Sequence, residues 1–193
     1  MVDDTHGPDA EWMTSAMLKA YAHPLRRRIL RLFSRSDHLR ATDIAATLDV
    51  PANSVSFHLR TLADAGLIAE APEHARDRRD RVWTSTKAAL NVGGPENPVA
   101  DEALGATVLA GIVDEHRALL ERVAAWAPEY LAGRTAEVHG TFTQRTIRLT
   151  DAEFEAAMDA FNDVLNAAQE NHDPADPAGR HWQIDLVAAD DTI

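Results

Sequence analysis

Apolar side chains recur at helical spacing through the first third of the chain, and residues that start or stop helices bound each run. Apolar positions three or four apart on one face are typical of amphipathic helices. The spacing predicts four helices, over residues 11–22, 24–33, 43–48 and 52–65. Pro24 suits the first position of the second helix, and Thr42 is the expected N-cap of the third.

Two short β-prone runs follow the fourth helix and predict a hairpin. Gly66 stands where helices commonly end in a left-handed residue. Leu67–Ala71 and Arg81–Thr86 have the pattern of paired strands, and the charged loop Pro72–Asp80 joins them. Two helices around the tight turn Asp49–Pro51, followed by such a hairpin, predict a helix-turn-helix with a β wing.

The second half of the chain has a different pattern. A long helix is predicted from Ala100 to Trp126, and Pro128 and Gly133 are expected to end it. Helical and alternating apolar positions then predict a strand, a helix and a strand, over residues 137–149, 151–170 and 181–188. Thr150 and Glu153 have the spacing of a capping box at the start of that helix.

These elements divide the chain into five predicted segments. They are a flexible arm (1–10), a winged helix-turn-helix domain (11–90), a Gly- and Pro-rich linker (91–99), a dimerisation helix (100–133) and a carboxyl-terminal α/β unit (134–193). The predicted fold class is mainly α with small β: a winged helix-turn-helix domain, a long helix and a small strand–helix–strand α+β unit. We expect the last unit to widen a dimer interface or to sense an effector.

The charge is distributed unevenly along the chain. The formal net charge is −12, but residues 19–90 carry 13 Lys or Arg against 8 Asp or Glu, a net of +5. Residues 91–193 carry 6 against 19, a net of −13. Because phosphate binding depends on the local patch rather than on the total charge, the first half remains a candidate for binding nucleic acid.

Composition excludes several other classes of function. The chain has no cysteine, so disulfides, thiolate metal sites and iron–sulfur clusters are ruled out. No apolar run is long enough to cross a bilayer, and the acidic start lacks the layout of a secretory signal, which favours a cytoplasmic protein. No nucleophile elbow, phosphate-binding glycine loop or paired-carboxylate pattern is present, so we expect no enzyme activity and no cofactor.

The fourth predicted helix has the residues of a DNA reader on one face. Its apolar positions, with those of the preceding helix, supply a small core of Ala45, Leu48, Val50, Val55, Leu59 and Leu62. The opposite face then presents Asn53, Ser54, Ser56, Phe57 and Arg60. Asn and Arg pair with base edges, a phenyl ring can contact a thymine methyl, and serines near a helix N-terminus can equally hold phosphate.

Three blocks of this sequence resemble the ArsR-type winged-helix regulators. They are YAHPLRRRIL (21–30), DIAATLDV (43–50) and VSFHLRTLADAGLI (55–68), in the order and spacing of that family. The resemblance covers about residues 19–86. It implies a dimeric repressor or activator, with residues 52–65 in the major groove and Arg76, Arg78, Arg79 and Arg81 in a wing (72–81) that reaches the backbone or minor groove.

The chain departs from the metal-sensing members of that family. Leu39–Thr42 offers none of the cysteines that such members carry before or within the first reader helix. Asp114 and His116 match half of a second common site, but Ala127 and Tyr130 occupy the other half. The resemblance therefore favours a branch that has a carboxyl-terminal extension and no metal site.

Several residues allow a structural interpretation beside the functional one. Arg26–Arg28 are either a solvated helix face or phosphate contacts, and the wing arginines could be a merely soluble hairpin tip, although their position favours DNA. His58 is expected to be a packed structural residue. Four aromatic residues suit a core or dimer interface better than a ligand cage: Trp126, Phe142, Phe161 and Trp182.

The sequence thus predicts a homodimeric regulator that binds an operator in double-stranded DNA, with an unidentified small-molecule effector as a further partner. One recognition helix reads few base pairs, so two-fold dimers on two half-sites are the rule. The first helix and residues 100–126 are the surfaces expected to pair. Two alternatives remain: a winged helix that recruits a protein instead of DNA, and a catalytic carboxyl-terminal unit.

Overall fold

The computed structural model describes residues 11–76, 81–86, 90–173 and 176–193. The six helices of these ranges are α1 (Ser15–Tyr21), α2 (Pro24–Phe33), α3 (Ala41–Leu48), α4 (Ala52–Asp64), α5 (Glu102–Leu131) and α6 (Asp151–Glu170). The five strands are β1 (Glu11–Trp12), β2 (Leu39–Arg40), β3 (Ile68–Glu70), β4 (Val82–Ser85) and β5 (Leu90–Asn91), and Pro72–His74 is a 3-10 turn. None of these helices is both long and apolar enough to cross a membrane.

By its internal contacts, the chain forms two compact units that divide between Ile112 and Val113, inside α5. The first unit, Pro8–Ile112, has a continuous core in which helices α1–α4 and the wing strands meet. Its fully enclosed side chains are Ile29, Ile44, Val55, Leu59, Leu62, Leu67, Ile68 and Val108. Of the predicted reader core, Leu48 and Val50 lie at its edge, half-buried, and the others are buried.

The mainly α fold class with a winged first part is confirmed: the described chain is mostly helical, with a small β-sheet as the wing. That sheet has the order β2-β4-β3 and is antiparallel, pairing Leu39 with Trp83 and Ile68 with Ser85. The hairpin was predicted, but its third strand was not. β2 is only two residues long and therefore shows no alternation that a sequence pattern could reveal.

Turn chemistry sets the angle between α3 and α4. Asp49 adopts φ 53°, a left-handed conformation that Asp tolerates better than most side chains. Val50 N–H then donates to Ala45 C=O (3.1 Å), and α4 begins directly after Pro51. Gly66, at φ 75°, ends the α4 region as predicted and turns the chain into β3.

Two predicted helix starts are wrong. The first helix starts at Ser15 with Thr14 as its N-cap, because Glu11 and Trp12 pair in parallel with Leu90 and Asn91 instead. The third helix starts at Ala41 and its N-cap is Arg40, so Thr42 already lies in its first turn. In both cases a two-residue strand fixes the preceding backbone in an extended conformation.

The first half of α5 contains a glycine, Gly111, at a close approach to Arg27 of α2. Gly111 is buried, and a Cβ placed there would lie only 2.3 Å from Cζ of Arg27. The Arg27 side chain is itself only 8% exposed, and its Nη1 donates to the carbonyls of Ala22 (3.0 Å) and Tyr21 (3.3 Å). The glycine thus leaves the space that a buried guanidinium occupies between α2 and the first half of α5.

We expect Gly111→Ala to lower the free energy of unfolding by roughly 1–3 kcal/mol, because the methyl group must displace Arg27 from its buried hydrogen bonds. Urea denaturation of the full chain measures this. Arg27→Ala removes the colliding group, so adding Gly111→Ala to that variant should cost far less than the same change alone. Equal costs in both backgrounds would show that Arg27 and Gly111 are not coupled.

The later part of α5 continues past Pro128 to Leu131, whereas Pro128 was expected to contribute to its end. A proline so close to the end removes a single backbone hydrogen bond, and Ala132 N–H still donates to Pro128 C=O (3.1 Å). Gly133, at φ 67°, follows the last turn.

The carboxyl-terminal prediction is confirmed only for its helix. α6 spans 151–170, and the Thr150–Glu153 capping box is present, with Glu153 Oε2 accepting from Thr150 N–H at 2.7 Å. The strands predicted at 137–149 and 181–188 are wrong for the single chain, since neither segment belongs to a ladder. A strand needs a hydrogen-bonded neighbour, and apolar alternation alone does not supply one.

Candidate nucleic-acid interface

α4 separates its apolar and polar residues onto opposite faces. Val55, Leu59 and Leu62 are fully buried, whereas Asn53 and Arg60 are exposed. Phe57 is also outward and is 61% exposed, which is unusual for an aromatic residue of this unit. The face predicted to read DNA is therefore the solvent face of α4, and nothing in the described first unit covers it.

The two serines of that face are half-buried. Ser56 Oγ donates to the Ala52 carbonyl (2.9 Å), which leaves its lone pairs available to a ligand. Ser54 lies in the first turn of α4, where its backbone N–H is held by the Asn53 side chain (Oδ1, 2.9 Å). Asn53 thus presents its amide NH₂ outward from the helix N-terminus.

A shallow cleft of about 170 Å³ connects α4 with the wing sheet and with the start of α3. Three arginines and two hydroxyl groups line it: Arg40, Arg60, Arg81, Thr42 and Ser56. Arg40 is the N-cap of α3 and makes no side-chain capping bond. Because residues 40–42 line the cleft, the positive N-terminal end of α3 lies beside it. Guanidinium groups, hydroxyls and a helix N-terminus are the donors that proteins use to hold phosphate.

The three guanidinium groups differ in their partners. Arg81 Nη1 lies 3.2 Å from a carboxylate oxygen of Glu70, and Arg40 Nη1 lies 3.7 Å from a carboxylate oxygen of Asp43. Arg60 is exposed and has no carboxylate partner among the residues that the structure describes. Exposed ion pairs of this kind are weak, so Arg40 and Arg81 can exchange their carboxylate partners for a phosphate. Arg60 makes no such pair and remains available to a base edge.

The structure brings Ser56, Arg60 and Arg81 together in this cleft and places Asn53, Ser54 and Phe57 on the adjoining turns of α4. Arg76 is exposed, just beyond the 3-10 turn of the wing. Arg78 and Arg79 lie outside the described residues. Sequence reasoning missed Arg40 and Thr42: Thr42 was assigned to capping, and Arg40 stands in the two-residue β2.

Comparison with known proteins gives a match to this part of the chain. Residues 21–71 match a family model described as a helix-turn-helix domain. Residues 21–71 form a helix-turn-helix domain. With its three-stranded wing sheet, this part of the chain is of the winged type, in agreement with the predicted fold class. No curated protein matches the chain.

Solved structures similar to this chain include an ArsR family transcriptional regulator, with 22% identity over 55% of this chain and 88% of that one, at a TM-score of 0.31. The AntR antimony-specific transcriptional repressor is 23% identical over 56% of this chain and 87% of its own, with a TM-score of 0.33. The YusO protein from Bacillus subtilis is 21% identical over 80% and 82%, with a TM-score of 0.34. Scores this low establish no function for the chain.

The arginine cluster of the helix-turn-helix domain has a role that neither sequence interpretation foresaw. Arg26 donates from Nε to Ala20 C=O and from Nη2 to Lys19 C=O (2.8 Å), both at the C-terminal end of α1. Arg28 Nη2 donates to Leu48 C=O (3.2 Å), the last residue of α3. With Arg27, already described, all three guanidinium groups satisfy carbonyls at helix ends, where cations are favoured.

His58 is buried on the inner side of α4, as predicted, and its ring lies 4.6 Å from that of His23, centroid to centroid. Burial lowers the pKa of His58 below its usual 6.5, and the neighbouring His23 and Arg26 lower it further. Burial and Arg26 likewise lower the pKa of His23, whose Nδ1 accepts the N–H of Leu25 at the start of α2. Both imidazoles are therefore neutral near pH 7.

This pair predicts a loss of stability in mild acid. Below pH 6.5 the histidines of the unfolded chain bind protons more readily than those of the folded chain. The free energy of unfolding is therefore highest above that pH and falls as the pH drops through and below it. Urea denaturation at several pH values between about 5 and 8 measures the slope. His58→Leu should flatten it, whereas His74→Gln, on the exposed wing, should not. An unchanged slope in His58→Leu would contradict the assignment.

Proposed function

We propose that the protein is a sequence-specific DNA-binding transcriptional regulator of the ArsR type, with α4 in the major groove and the wing, residues 72–81, on the backbone or minor groove. The observation that carries the proposal is the cleft in which Arg60 of α4 meets Arg40 and Arg81 beside the N-terminus of α3. Arg40 and Arg81 hold a phosphate in this cleft at the edge of a groove, while Arg60 and the exposed face of α4 meet the bases.

The roles of the single residues follow from their exposure and chemistry. Asn53 and Arg60, both exposed, are the base readers, and Phe57 supplies an apolar contact for a thymine methyl. Ser54, Ser56 and Arg81 hold phosphates. Arg76, Arg78 and Arg79 extend the positive charge along the wing. The net charge of +5 over residues 19–90 agrees with this use of the surface.

The regulator acts as a homodimer on two half-sites, since one helix-turn-helix domain makes too few base contacts for operator affinity. The first helix, α5 and the carboxyl-terminal unit are the dimerisation surfaces, and a small-molecule effector would act by changing the spacing of the two domains. A regulator of this kind works in the compartment that holds its operator DNA, which is the cytoplasm. A non-catalytic regulator needs no cofactor.

We further propose that regulation is independent of metals. His116, half of the partial metal motif, pairs instead with Asp185 (Nδ1 to Oδ2, 2.6 Å). Asp114 of the same motif accepts from Arg117 at 3.1 Å. The described residues include no cluster of three or more His, Asp or Glu side chains suited to a metal ion.

A gel-shift titration on the promoter region of the protein's own gene tests DNA binding directly. The proposal expects a discrete complex whose affinity falls steeply with salt, with a log–log slope of about −0.9 for each phosphate neutralised. A helix-turn-helix domain that recruits a protein instead would give no complex at low salt, and that result would overturn the proposal in favour of the alternative.

A further inference from the structure

The carboxyl-terminal unit leaves its large apolar side chains uncovered. No described residue after Ile112 is a buried hydrophobic, and α6 has no buried residue over its 20 positions. Fifteen large hydrophobic residues of this unit are exposed, at Val113, Leu120, Tyr130, Leu131, Val138, Phe142, Ile147, Leu149, Phe154, Val164, Trp182, Ile184, Leu186, Val187 and Ile193. An apolar surface of this extent is typical of an interface rather than of a monomer.

The apolar side of the segment 181–188 is left uncovered by the rest of its unit. Two of its polar side chains are bound inside the unit: Asp185 pairs with His116 of α5, and Gln183 accepts from Arg122 of α5 at 2.7 Å. The alternate residues Trp182, Ile184 and Leu186 are 53, 55 and 52% exposed. A strand that completes its own core does the reverse, burying its apolar side and exposing its polar one.

The backbone of the same segment is also open. No described residue from 180 to 193 makes a backbone-to-backbone hydrogen bond, so both edges of 181–188 present free N–H and C=O groups. An exposed extended segment with an apolar face is a template for pairing with another chain. The segment can therefore become a paired strand only when a second segment lies beside it.

We propose that a second copy of this chain covers the face formed by Trp182, Ile184 and Leu186, here named the strand face. The two carboxyl-terminal units then complete one another, each adding backbone edges and apolar surface to the other. The inference rests on the homodimer of the proposed function and specifies the contact that holds it together.

The unit contains charged segments of both signs that two copies of the chain can pair. α6 carries six Asp or Glu and no Lys or Arg, whereas the segment 139–150 carries Arg145 and Arg148 and no Asp or Glu. Each copy thus has an acidic helix and a basic extended segment in the same unit. In a dimer with a two-fold axis, the acidic helix of each copy can lie against the basic segment of the other. The surface is then complementary to itself.

The amount of apolar surface is also sufficient. A half-exposed large side chain offers on the order of 100 Å². Val187 lies on the opposite side of the segment, and the other fourteen exposed residues of the unit offer roughly 2,800 Å² over two copies, within the range of obligate homodimers, about 2,000–5,000 Å². A two-stranded sheet is marginal in water, but segments from two copies can reach the three or more strands that stability requires.

The test compares two full-length variants that place the same charge on opposite sides of the segment. Ile184→Asp is in the strand face, and Val187→Asp, at an exposed residue of the opposite side, is the matched control. Sedimentation gives the dimer dissociation constant, and hydrogen exchange reports protection of the amides of 181–188. We expect at least a hundredfold weaker dimer and loss of that protection in Ile184→Asp, with little change in Val187→Asp.

Protection of the α4 amides in both variants shows that the helix-turn-helix domain stays folded, and Leu186→Asp repeats the test at a second position. Equal dimerisation by Ile184→Asp and Val187→Asp would overturn the inference. A monomeric wild-type chain would overturn it as well, whether its 181–188 amides exchange freely or are covered by another part of the same chain.

The two proposals fail in different ways. If the wild-type chain dimerises through the strand face but forms no complex with DNA, the inference stands and the proposed function fails. If the chain binds operator DNA while Ile184→Asp dimerises normally, the proposed function stands and the inference fails.

Discussion

Arg60→Ala is expected to weaken binding to the cognate operator by roughly 1–3 kcal/mol, about 5- to 150-fold, while binding to unrelated DNA changes little. The guanidinium of Arg60 is exposed on the reading face of α4 and has no carboxylate partner among the described residues. Its removal therefore costs a base contact without breaking an internal bond. Titrations on the operator and on a scrambled duplex measure the ratio of the two affinities.

Two further variants distinguish loss of a base reader from loss of charge. Arg35→Ala removes the same charge from an exposed position that does not line the cleft, and should leave the affinity ratio unchanged. Arg78→Ala/Arg79→Ala, in the segment predicted as the wing, should weaken binding to all DNA alike and flatten the salt dependence. If the wing variant lost sequence preference and Arg60→Ala kept it, the roles of α4 and the wing would be reversed.

A chain that ends at Gly133 is expected to form a less stable dimer and to bind its operator more weakly than the full chain, by up to roughly 10²- to 10⁴-fold, because the second helix-turn-helix domain is less often tethered to the first. The helix-turn-helix domain should fold as before, since its core lies within Pro8–Ile112. Sedimentation and an operator titration on the truncated chain measure the two effects, and hydrogen exchange of α4 is the control for folding.

A truncated chain that remains fully dimeric, with unchanged operator affinity, would contradict this expectation. It would show that α1 and α5 alone hold the dimer, and that residues 134–193 form a separate module. A truncated chain with unprotected α4 amides would show that the first unit depends on the second, and the weaker DNA binding would then have no bearing on dimerisation.

The helices of the first unit could be predicted because their signals are local. The spacing of Val55, Leu59 and Leu62 determines the buried face of α4, and therefore also the exposed face that carries Arg60. Gly66 marks the end of the same helix through its own backbone preference. Neither conclusion needs information from a distant part of the chain.

The features that sequence reasoning missed depend on distant partners. Arg27 looks like a solvated charge until Gly111, 84 residues further on, leaves space for it. Arg40 reaches the cleft beside α4 only because β2 pairs with β4. The segment 181–188 has a clear alternation, but alternation indicates which side is apolar and not which chain provides the neighbouring strand.

Sequencing the DNA that the protein binds in cells tests the central claim most directly. We expect a limited set of sites that share a two-fold symmetric motif, with half-sites about 10–10.5 base pairs apart or a multiple of that distance. The same experiment with Arg60→Ala should lose the motif. Recovered DNA without a shared motif, or the same motif recovered with Arg60→Ala, would contradict the claim that α4 reads the operator.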